Sequence, residues 1–213
     1  ATVVNLCHGI PYKKIEYHIE NGPIADKFHD RSFGNKVDNI EIFRKPDFLL
    51  SSSTNVAAHC LLSAFRMQSK QILPLGFPRN DVLFQNDIGC RLFSDAIDIF
   101  HKQEYIYLLS LISQASRTYI YLPTWGREIN SKLDFDKVEQ FCIKNNYKFF
   151  VKPHPNDQEV AFNSAFTCIH KVNPTVDIYP LLARFDGLVS DISSIMFDFL
   201  LLRKAVFFNP NMG

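Results

Sequence analysis

The chain has 213 residues and a hydrophobic content of 46%, enough for one large or two small globular domains. Its 23 lysines and arginines nearly balance its 22 acidic residues, and the formal net charge of +1 argues against a nucleic-acid binder. The five cysteines form no CxxC pair, and none of the seven histidines lies in an HExxH motif. We therefore expect reduced thiols in a cytosolic setting and no zinc site.

Strands and helices alternate in the first part of the chain. Residues 2–7, 46–51 and 71–75 are predicted strands, because each is a short apolar run bounded by turn residues. A helix is predicted over residues 55–67, where apolar residues recur at helical spacing after a Ser-Ser-Ser-Thr cap. This alternation favours a parallel sheet.

The segment 85–116 contains no strand signal and predicts two helices. A second alternation follows, with predicted strands over 119–122, 147–151, 167–172, 187–189 and 205–208 and helices over 135–145, 176–184 and 193–202. The expected fold class is therefore α/β with two parallel sheets in series. The expected domains are 1–84, a helical connection over 85–117, and 118–213.

No segment resembles a signal peptide or an apolar span of about 20 residues. The longest apolar run, residues 105–112, fits a buried helix better. Because the chain starts inside one apparent strand and stops just after another, we expect it to be a piece of a longer protein.

Four polar strings lie at the ends of predicted strands. They are HGIP (8–11), GFPRND (76–81), KPHP (152–155) and SDISS (190–194). Open α/β sheets bind ligands at the carboxyl ends of their strands. Cations, imidazoles and a serine pair at a helix start suit a phosphate-containing ligand.

The first two strings each allow two interpretations. His8 on its tight turn could be a general base, since an imidazole titrates near neutrality, or a turn histidine bonded to backbone. Arg79 could bind phosphate through two parallel hydrogen bonds, or could pair with Asp81 and brace a hinge.

The last two strings also each allow a functional and a structural interpretation. Pro153 and Pro155 lock the backbone around His154, which suits a side chain held against a ligand but also a purely structural turn. Ser193 and Ser194 combine hydroxyls with the N–H groups of a helix start, although capping by Asp191 or Ser193 explains them as well.

A fifth segment, Thr124-Trp125-Gly126-Arg127, follows the strand over 119–122. The Thr124 hydroxyl and the Arg127 guanidinium could join the same site. A loop tryptophan such as Trp125 is otherwise a packing residue.

Together the strings resemble the CDP-glycerol glycerophosphotransferase family, the teichoic-acid polymerases and primases. The matching segments are HGIPYKK (8–14), GFPRND (76–81), YLPTWGR (121–127), KPHP (152–155), SDISS (190–194) and FDFLLLRKAVFF (197–208). The resemblance implies a GT-B fold, in which two Rossmann-like domains face each other across a cleft. The chain would hold the end of the N-terminal, acceptor-side domain and most of the C-terminal, nucleotide-donor domain.

The resemblance implies transfer of a polyol phosphate from a CDP-activated donor, glycerol phosphate first, to a hydroxyl of a teichoic-acid or capsule-like polymer, with release of CMP. His8 would be the general base or an acceptor-site residue, and His154 would stabilise the pyrophosphate or protonate the leaving CMP. The implied donor- and phosphate-binding residues are Arg79, Asn80, Asp81, Thr124, Arg127, Lys152, Ser193 and Ser194.

The implied partners are the nucleotide-activated donor and a lipid-linked polymer acceptor. The expected location is therefore cytoplasmic, with peripheral association at the inner face of a bacterial plasma membrane. No cofactor is implied. No carboxylate cluster calls for a metal, so any Mg²⁺ would arrive with the substrate.

Several residues depart from the family pattern and keep the donor alcohol open between glycerol, ribitol and another group. Ile10 replaces a threonine beside His8, Gly126 separates Trp125 from Arg127, Tyr12 replaces a leucine and Ile192 replaces a tyrosine. Two other functions compete. A GT-B glycosyltransferase with a CMP-sugar donor, similar to bacterial sialyltransferases, shares the His-Pro turn and Ser-Ser start but lacks the first two strings. A non-enzymatic binding domain of the same fold is the third alternative.

Overall fold

A computed structural model describes residues 2–7, 9–11, 14–22, 24–85, 99–124, 133–155, 165–191 and 193–208. The chain divides into two compact units, Ala1–Pro78 and Arg79–Gly213. Each unit is built on one parallel β-sheet with helices in the connections. The predicted α/β class with two parallel sheets is therefore confirmed.

The first unit contains a three-stranded sheet whose order follows the chain. Its strands are β1 (Val4–Asn5), β2 (Phe48–Leu50) and β3 (Ile72–Leu73), and both pairings are parallel. All three lie inside the predicted strands but are shorter. The central strand carries the buried Leu49, which packs against Leu61 and Met67.

Three short helices precede β2, in a segment for which the sequence pattern predicted no element: α1 (Ala25–His29), α2 (Phe33–Asp38) and α3 (Ile40–Phe43). The helix predicted over residues 55–67 is present as α4 (Thr54–Val56), a π-helical segment (Ala57–Leu61) and α5 (Leu62–Ala64). Ser53 Oγ accepts the Val56 N–H at 3.1 Å, which confirms the predicted cap.

The second unit contains a five-stranded parallel sheet of order β6-β5-β4-β7-β8. The strands are β4 (Arg117–Leu122), β5 (Tyr147–Val151), β6 (Ile169–Lys171), β7 (Gly187–Ser190) and β8 (Ala205–Phe208). From β4 the chain first builds outward through β5 and β6, and then returns to build on the other side through β7 and β8. In open sheets this reversal leaves a crevice at the carboxyl ends of the two strands beside it, here β4 and β7.

The helices of the second unit are α6 (Ile99–Ser113), α7 (Phe135–Asn145), α8 (Tyr179–Leu182) and α9 (Ile195–Leu200). Helix α7 begins at the predicted cap, where Asp134 Oδ1 accepts the Lys137 N–H at 3.1 Å. Of the two helices predicted in segment 85–116, α6 is present, and the other falls on residues outside the described ranges. Helix α8 is shorter than predicted because residues 173–178 form a loop.

The core of the second unit lies on both faces of β4. Ile120 and Tyr121, which point to opposite faces, are both fully buried. Gly187 on β7 allows a close approach, since a Cβ at this position would lie 2.8 Å from Cδ1 of Tyr119. The central strands are therefore fixed by packing on both sides, which fixes their carboxyl ends as well.

Candidate functional site

A cavity of about 330 Å³ lies at the carboxyl ends of β4, β5 and β7, within the second unit. Its wall is contributed by the ends of these strands, the loop before α8 and the first residues of α8 and α9: Leu122, Pro123, Lys152, Pro153, His154, Pro155, Pro174, Thr175, Val176, Asp177, Ile178, Tyr179, Ser193 and Ile195. This is the crevice that the strand order predicts. The lining is mostly apolar, with polar groups contributed by a few side chains.

Two of the predicted site residues, Lys152 and His154, enter the cavity from the end of β5. Lys152 Nζ donates a hydrogen bond to the carbonyl oxygen of Pro174 at 2.8 Å. Burial lowers the pKa of Lys152, while the Asp177 carboxylate opposes this shift. Since an ammonium has three donors, Lys152 can hold the loop and still offer N–H groups to an anion.

The serine pair follows β7 and precedes α9. Ser193 lines the cavity, and Ser194 is the residue that precedes α9. The Ser194 side chain makes no capping hydrogen bond to the helix. Because α9 has only six residues, the serine hydroxyls are a better anion-binding feature here than the helix itself.

Asp191 is a buried acid that was not among the predicted site residues. Its carboxylate accepts the Thr124 N–H at 3.0 Å and the Thr124 hydroxyl in a short hydrogen bond. Its negative charge also adds to burial in raising the pKa of Tyr121. The Thr124 hydroxyl therefore links β4 to β7 across the crevice. An acid directly after a buried strand was the available sequence signal for this residue.

The loop 173–178 forms one side of the cavity and is held by helix α6. The Glu104 carboxylate accepts the Asn173 N–H at 3.3 Å, and the Tyr105 hydroxyl donates to the Asp177 carbonyl. Burial raises the pKa of Tyr105 to about 12, so this donor keeps its proton at any physiological pH. The loop is thus fixed before any ligand binds.

The string over residues 76–81 continues into a 3₁₀-helix, Pro78–Phe84. Arg79 Nε and Nη2 donate to Oδ2 of Asp198 at 3.1 and 2.9 Å, and Asp198 is buried within α9. Asn80 Oδ1 is buried and makes no hydrogen bond within the described ranges, and Asp81 is exposed. Sequence alone could not indicate the Arg79–Asp198 pair, since the two residues are 119 positions apart.

The second unit thus brings Lys152, His154 and Ser193 to one cavity. Thr124 and Ser194 directly follow Pro123 and Ser193 of the cavity lining in the chain. His8 and Arg127 lie outside the described residues. Across the part of the chain that is described, no group of three or more His, Cys, Asp or Glu side chains could hold a metal ion.

The strand order, with a cavity at its reversal point, defines the second unit as a Rossmann-like α/β domain. The family model of CDP-Glycerol:Poly(glycerophosphate) glycerophosphotransferase matches residues 1–211. The chain belongs to this family, as the polar strings predicted.

Two curated relatives have names that refer to teichoic acid. The chain is 27% identical over 206 residues to the teichoic acid ribitol-phosphate primase of Bacillus spizizenii, a match that covers 92% of the chain and 48% of the relative. It is 26% identical over 232 residues to the teichoic acid glycerol-phosphate transferase of Staphylococcus aureus, which covers 98% of the chain and 52% of the relative. The chain therefore spans about half the length of these curated relatives.

A structure of the wall teichoic acid polymerase TagF has the same fold. It superposes with a TM-score of 0.69 at 24% identity, over 97% of this chain and 49% of TagF. This likeness confirms the predicted GT-B class.

Proposed function

We propose that the whole protein transfers a polyol phosphate from a CDP-activated donor to a hydroxyl of a teichoic-acid or capsule-like polymer and releases CMP. One observation carries this proposal: Lys152, His154 and Ser193 converge on a preformed cavity at the reversal point of the sheet, in a chain of the glycerophosphotransferase family. The CMP-sugar alternative is not favoured, because the family match and the named relatives concern polyol phosphates.

The cavity suits the nucleotide-phosphate part of such a donor. Its apolar lining can take a flat ring or a sugar edge, while the polar side chains at the strand ends face the same space. A cation, an imidazole and a hydroxyl are the groups that bind phosphate oxygens. In this proposal Lys152, Ser193 and Ser194 hold the phosphates.

In the proposed reaction the acceptor oxygen forms a bond to the β-phosphorus of the donor. The bond from that phosphorus to the bridging oxygen breaks, and CMP leaves with the electron pair. The acceptor proton passes to a general base, assigned to His8, and His154 stabilises or protonates the leaving phosphate. Positioning of the reactants and neutralisation of the developing negative charge lower the barrier, and no covalent intermediate is needed. Arg127 is also assigned to the neutralisation of this charge.

The proposal is tested with the full-length protein. CMP release is measured with CDP-glycerol, CDP-ribitol and CMP-sialic acid in separate reactions, each with a lipid-linked acceptor. We expect release from a CDP-polyol, with CDP-glycerol as the first candidate. We expect His8→Ala and His154→Ala to lower kcat at least about 100-fold, the lower range for loss of an acid or base. Turnover of the sialyl donor alone, or full activity in both variants, would refute the proposal.

We propose in addition that the protein associates peripherally with the cytoplasmic face of the membrane that carries its acceptor. Phe33 and Val37 lie one helical turn apart on α2 and are 83% and 57% exposed, and Ile40, the first residue of α3, is 66% exposed. We call these three exposed residues the apolar stripe. Apolar side chains in this pattern suit insertion at a bilayer interface. Within the described ranges, no helix is long and apolar enough to cross a membrane.

Apolar contact would dominate this membrane binding. Exposed basic residues near the stripe (Lys27, Arg31, Lys36) alternate with exposed acids (Asp26, Asp30, Asp38), so the net attraction to anionic lipid is weak. We therefore expect co-sedimentation with phosphatidylglycerol vesicles to persist at high salt.

A triple variant tests the stripe directly. Full-length protein with Phe33→Ser, Val37→Ser and Ile40→Ser should lose vesicle binding, since each apolar side chain contributes about 1.5–3 kcal/mol when buried. A matched control is Ile106→Ser with Ile143→Ser, which changes two residues that are 57% and 59% exposed in the second unit. Equal loss of binding in the triple variant and the control would refute this assignment.

A further inference from the structure

Asp198 accepts three hydrogen bonds on a single carboxylate oxygen. Arg79 Nε and Nη2 donate at 3.1 and 2.9 Å, and the Tyr179 hydroxyl donates at 2.7 Å. Asp198 is 2% exposed, whereas the Arg79 side chain is 26% exposed. The guanidinium carbon of Arg79 also lies 5.8 Å from the centre of the Tyr179 ring. These three residues form a cluster, which we call the Asp198 cluster.

The Asp198 cluster is connected to the cavity at two points. Tyr179 lines the cavity and begins α8, directly after the loop 173–178. Asp198 lies in α9, whose preceding residues include Ser193, also in the cavity wall. The cluster therefore fixes two separate segments of the wall relative to each other.

Burial makes this arrangement sensitive to the loss of any one member. A buried carboxylate is stable only when its charge and its lone pairs are satisfied, and removal of one partner leaves the others poorly paired. Burial and the Asp198 carboxylate both raise the pKa of Tyr179, so its hydroxyl remains a donor. The members should therefore act as one unit.

We propose that Asp198 is a positioning residue for the donor site. In this proposal Arg79 acts through Asp198 and Tyr179 rather than by touching the phosphates. The inference rests on the proposed function, because it assumes that the cavity binds the nucleotide part of the donor. It assigns a role to Asp198 and Tyr179, and it changes the role expected of Arg79.

A double-mutant cycle on the full-length protein tests this. The variants are Asp198→Asn, Arg79→Gln and the double variant, and the measured quantities are the Kd for CMP by calorimetry and the KM and kcat with CDP-glycerol. We expect each single variant to raise Kd and KM about tenfold and to change kcat less. The reason is that a displaced segment of the cavity wall weakens binding of the nucleotide. The double variant should also lose about tenfold, because coupled residues are not additive.

Tyr179→Phe keeps the ring in the cavity wall and removes only the hydroxyl. We expect it to raise the Kd for CMP about threefold, roughly half the effect of Asp198→Asn on a free-energy scale. This variant also tests the proposal if Asp198→Asn fails to fold. Asp134→Asn with Lys137→Gln is the matched control, because it removes an exposed ion pair of 2.8 Å in the same unit. The control should leave Kd unchanged.

The results separate the inference from the proposed function. Any of three results would overturn the positioning role. These are an additive loss near 100-fold in the double variant, a fall in kcat with Arg79→Gln alone, and an unchanged Kd for CMP with Tyr179→Phe. If the wild-type protein binds CMP but turns over no CDP-polyol, the proposed function is overturned. The double-mutant cycle, measured through the Kd for CMP, then still tests the role of the Asp198 cluster. A wild-type protein that does not bind CMP would overturn both.

Discussion

The backbone N–H and the hydroxyl of Thr124 both donate to the carboxylate of Asp191, which is fully buried. Thr124 follows β4 and Asp191 follows β7, so this pair joins the two neighbouring parallel strands at which the order of strand addition reverses. Ser190 Oγ adds a hydrogen bond of 3.0 Å to the Leu122 carbonyl just before it. The mouth of the crevice is therefore held by side chains as well as by the strand ladder.

Removal of the Asp191 carboxylate should destabilise the second unit. Asp191→Ala leaves two donors of the partly buried Thr124 without their acceptor, and we expect the free energy of unfolding to fall by about 2–3 kcal/mol. Asp191→Asn should cost less, because an amide oxygen still accepts one hydrogen bond. Thermal unfolding of the full-length protein followed by circular dichroism measures the effect. Asp38→Ala, which removes an exposed acid in the first unit, should change the melting temperature little.

Lys152 should contribute to donor binding through the loop as well as through its charge. Lys152→Met removes the hydrogen bond to the Pro174 carbonyl and the positive charge, so we expect the KM for the donor to rise about tenfold or more. Lys148→Met, at a half-buried lysine on the same strand, is the matched control. If both variants had the same KM as the wild type, Lys152 would not belong to the site.

His170 should make the second unit less stable in acid. Burial is the first cause that lowers the pKa of His170, followed by the nearby Lys148 ammonium. Since the folded pKa lies below the unfolded value of 6.5, the unfolded chain binds the proton more readily, and stability falls as the pH drops below 6.5. The slope contributed by one group cannot exceed about 1.4 kcal/mol per pH unit.

His170→Gln tests this linkage. Urea unfolding at pH 5.5 and at pH 7.5 should show a smaller difference in stability for the variant than for the wild type. The same difference in both proteins would mean that His170 titrates equally in the folded and unfolded states.

Gly187→Ala should destabilise the sheet because of a steric conflict. The new Cβ would lie 2.8 Å from Cδ1 of Tyr119 and 3.1 Å from Cε2 of Phe207. The two rings belong to β4 and β8, the strands on either side of β7. They must shift to make room for the Cβ, and we expect this to lower the free energy of unfolding by about 1–3 kcal/mol. Gly34→Ala, where a Cβ meets nothing within 4 Å, is the control and should not lower the melting temperature. An equal change in both variants would contradict the packing argument.

The sequence predicted the class, the strands and the polar strand ends, because these are local patterns. KPHP and SDISS each follow a short apolar run, and both lead into the cavity lining through Lys152, His154 and Ser193. The cap at Asp134 was predictable for the same reason, since it depends on residues three positions apart.

The pairings that complete the site could not be predicted in this way. Asp191 accepts from a residue 67 positions away, and Asp198 accepts from one 119 positions away. The contact of Tyr105 with the loop spans 72 positions. Such partners depend on the order of strands in the sheet, which a single sequence does not encode in any local pattern.

The predicted roles of the site residues and the predicted domain boundaries stay predictions. The structure adds the hydrogen-bond partners of three of these residues. Lys152 donates to the carbonyl of Pro174, Thr124 donates to Asp191, and Arg79 donates to Asp198.

Lys152 and His154 follow the end of β5, and Ser193 follows the end of β7, so these polar side chains of the cavity lie just beyond the strands. A substitution at one of these three positions leaves the strand registers untouched, because the paired residues of the strands end before them. The polar lining of the cavity can therefore change during evolution while the sheet beneath it stays the same. The same separation makes the cavity suitable for redesign, because its polar side chains can be exchanged without altering the pairing of the strands.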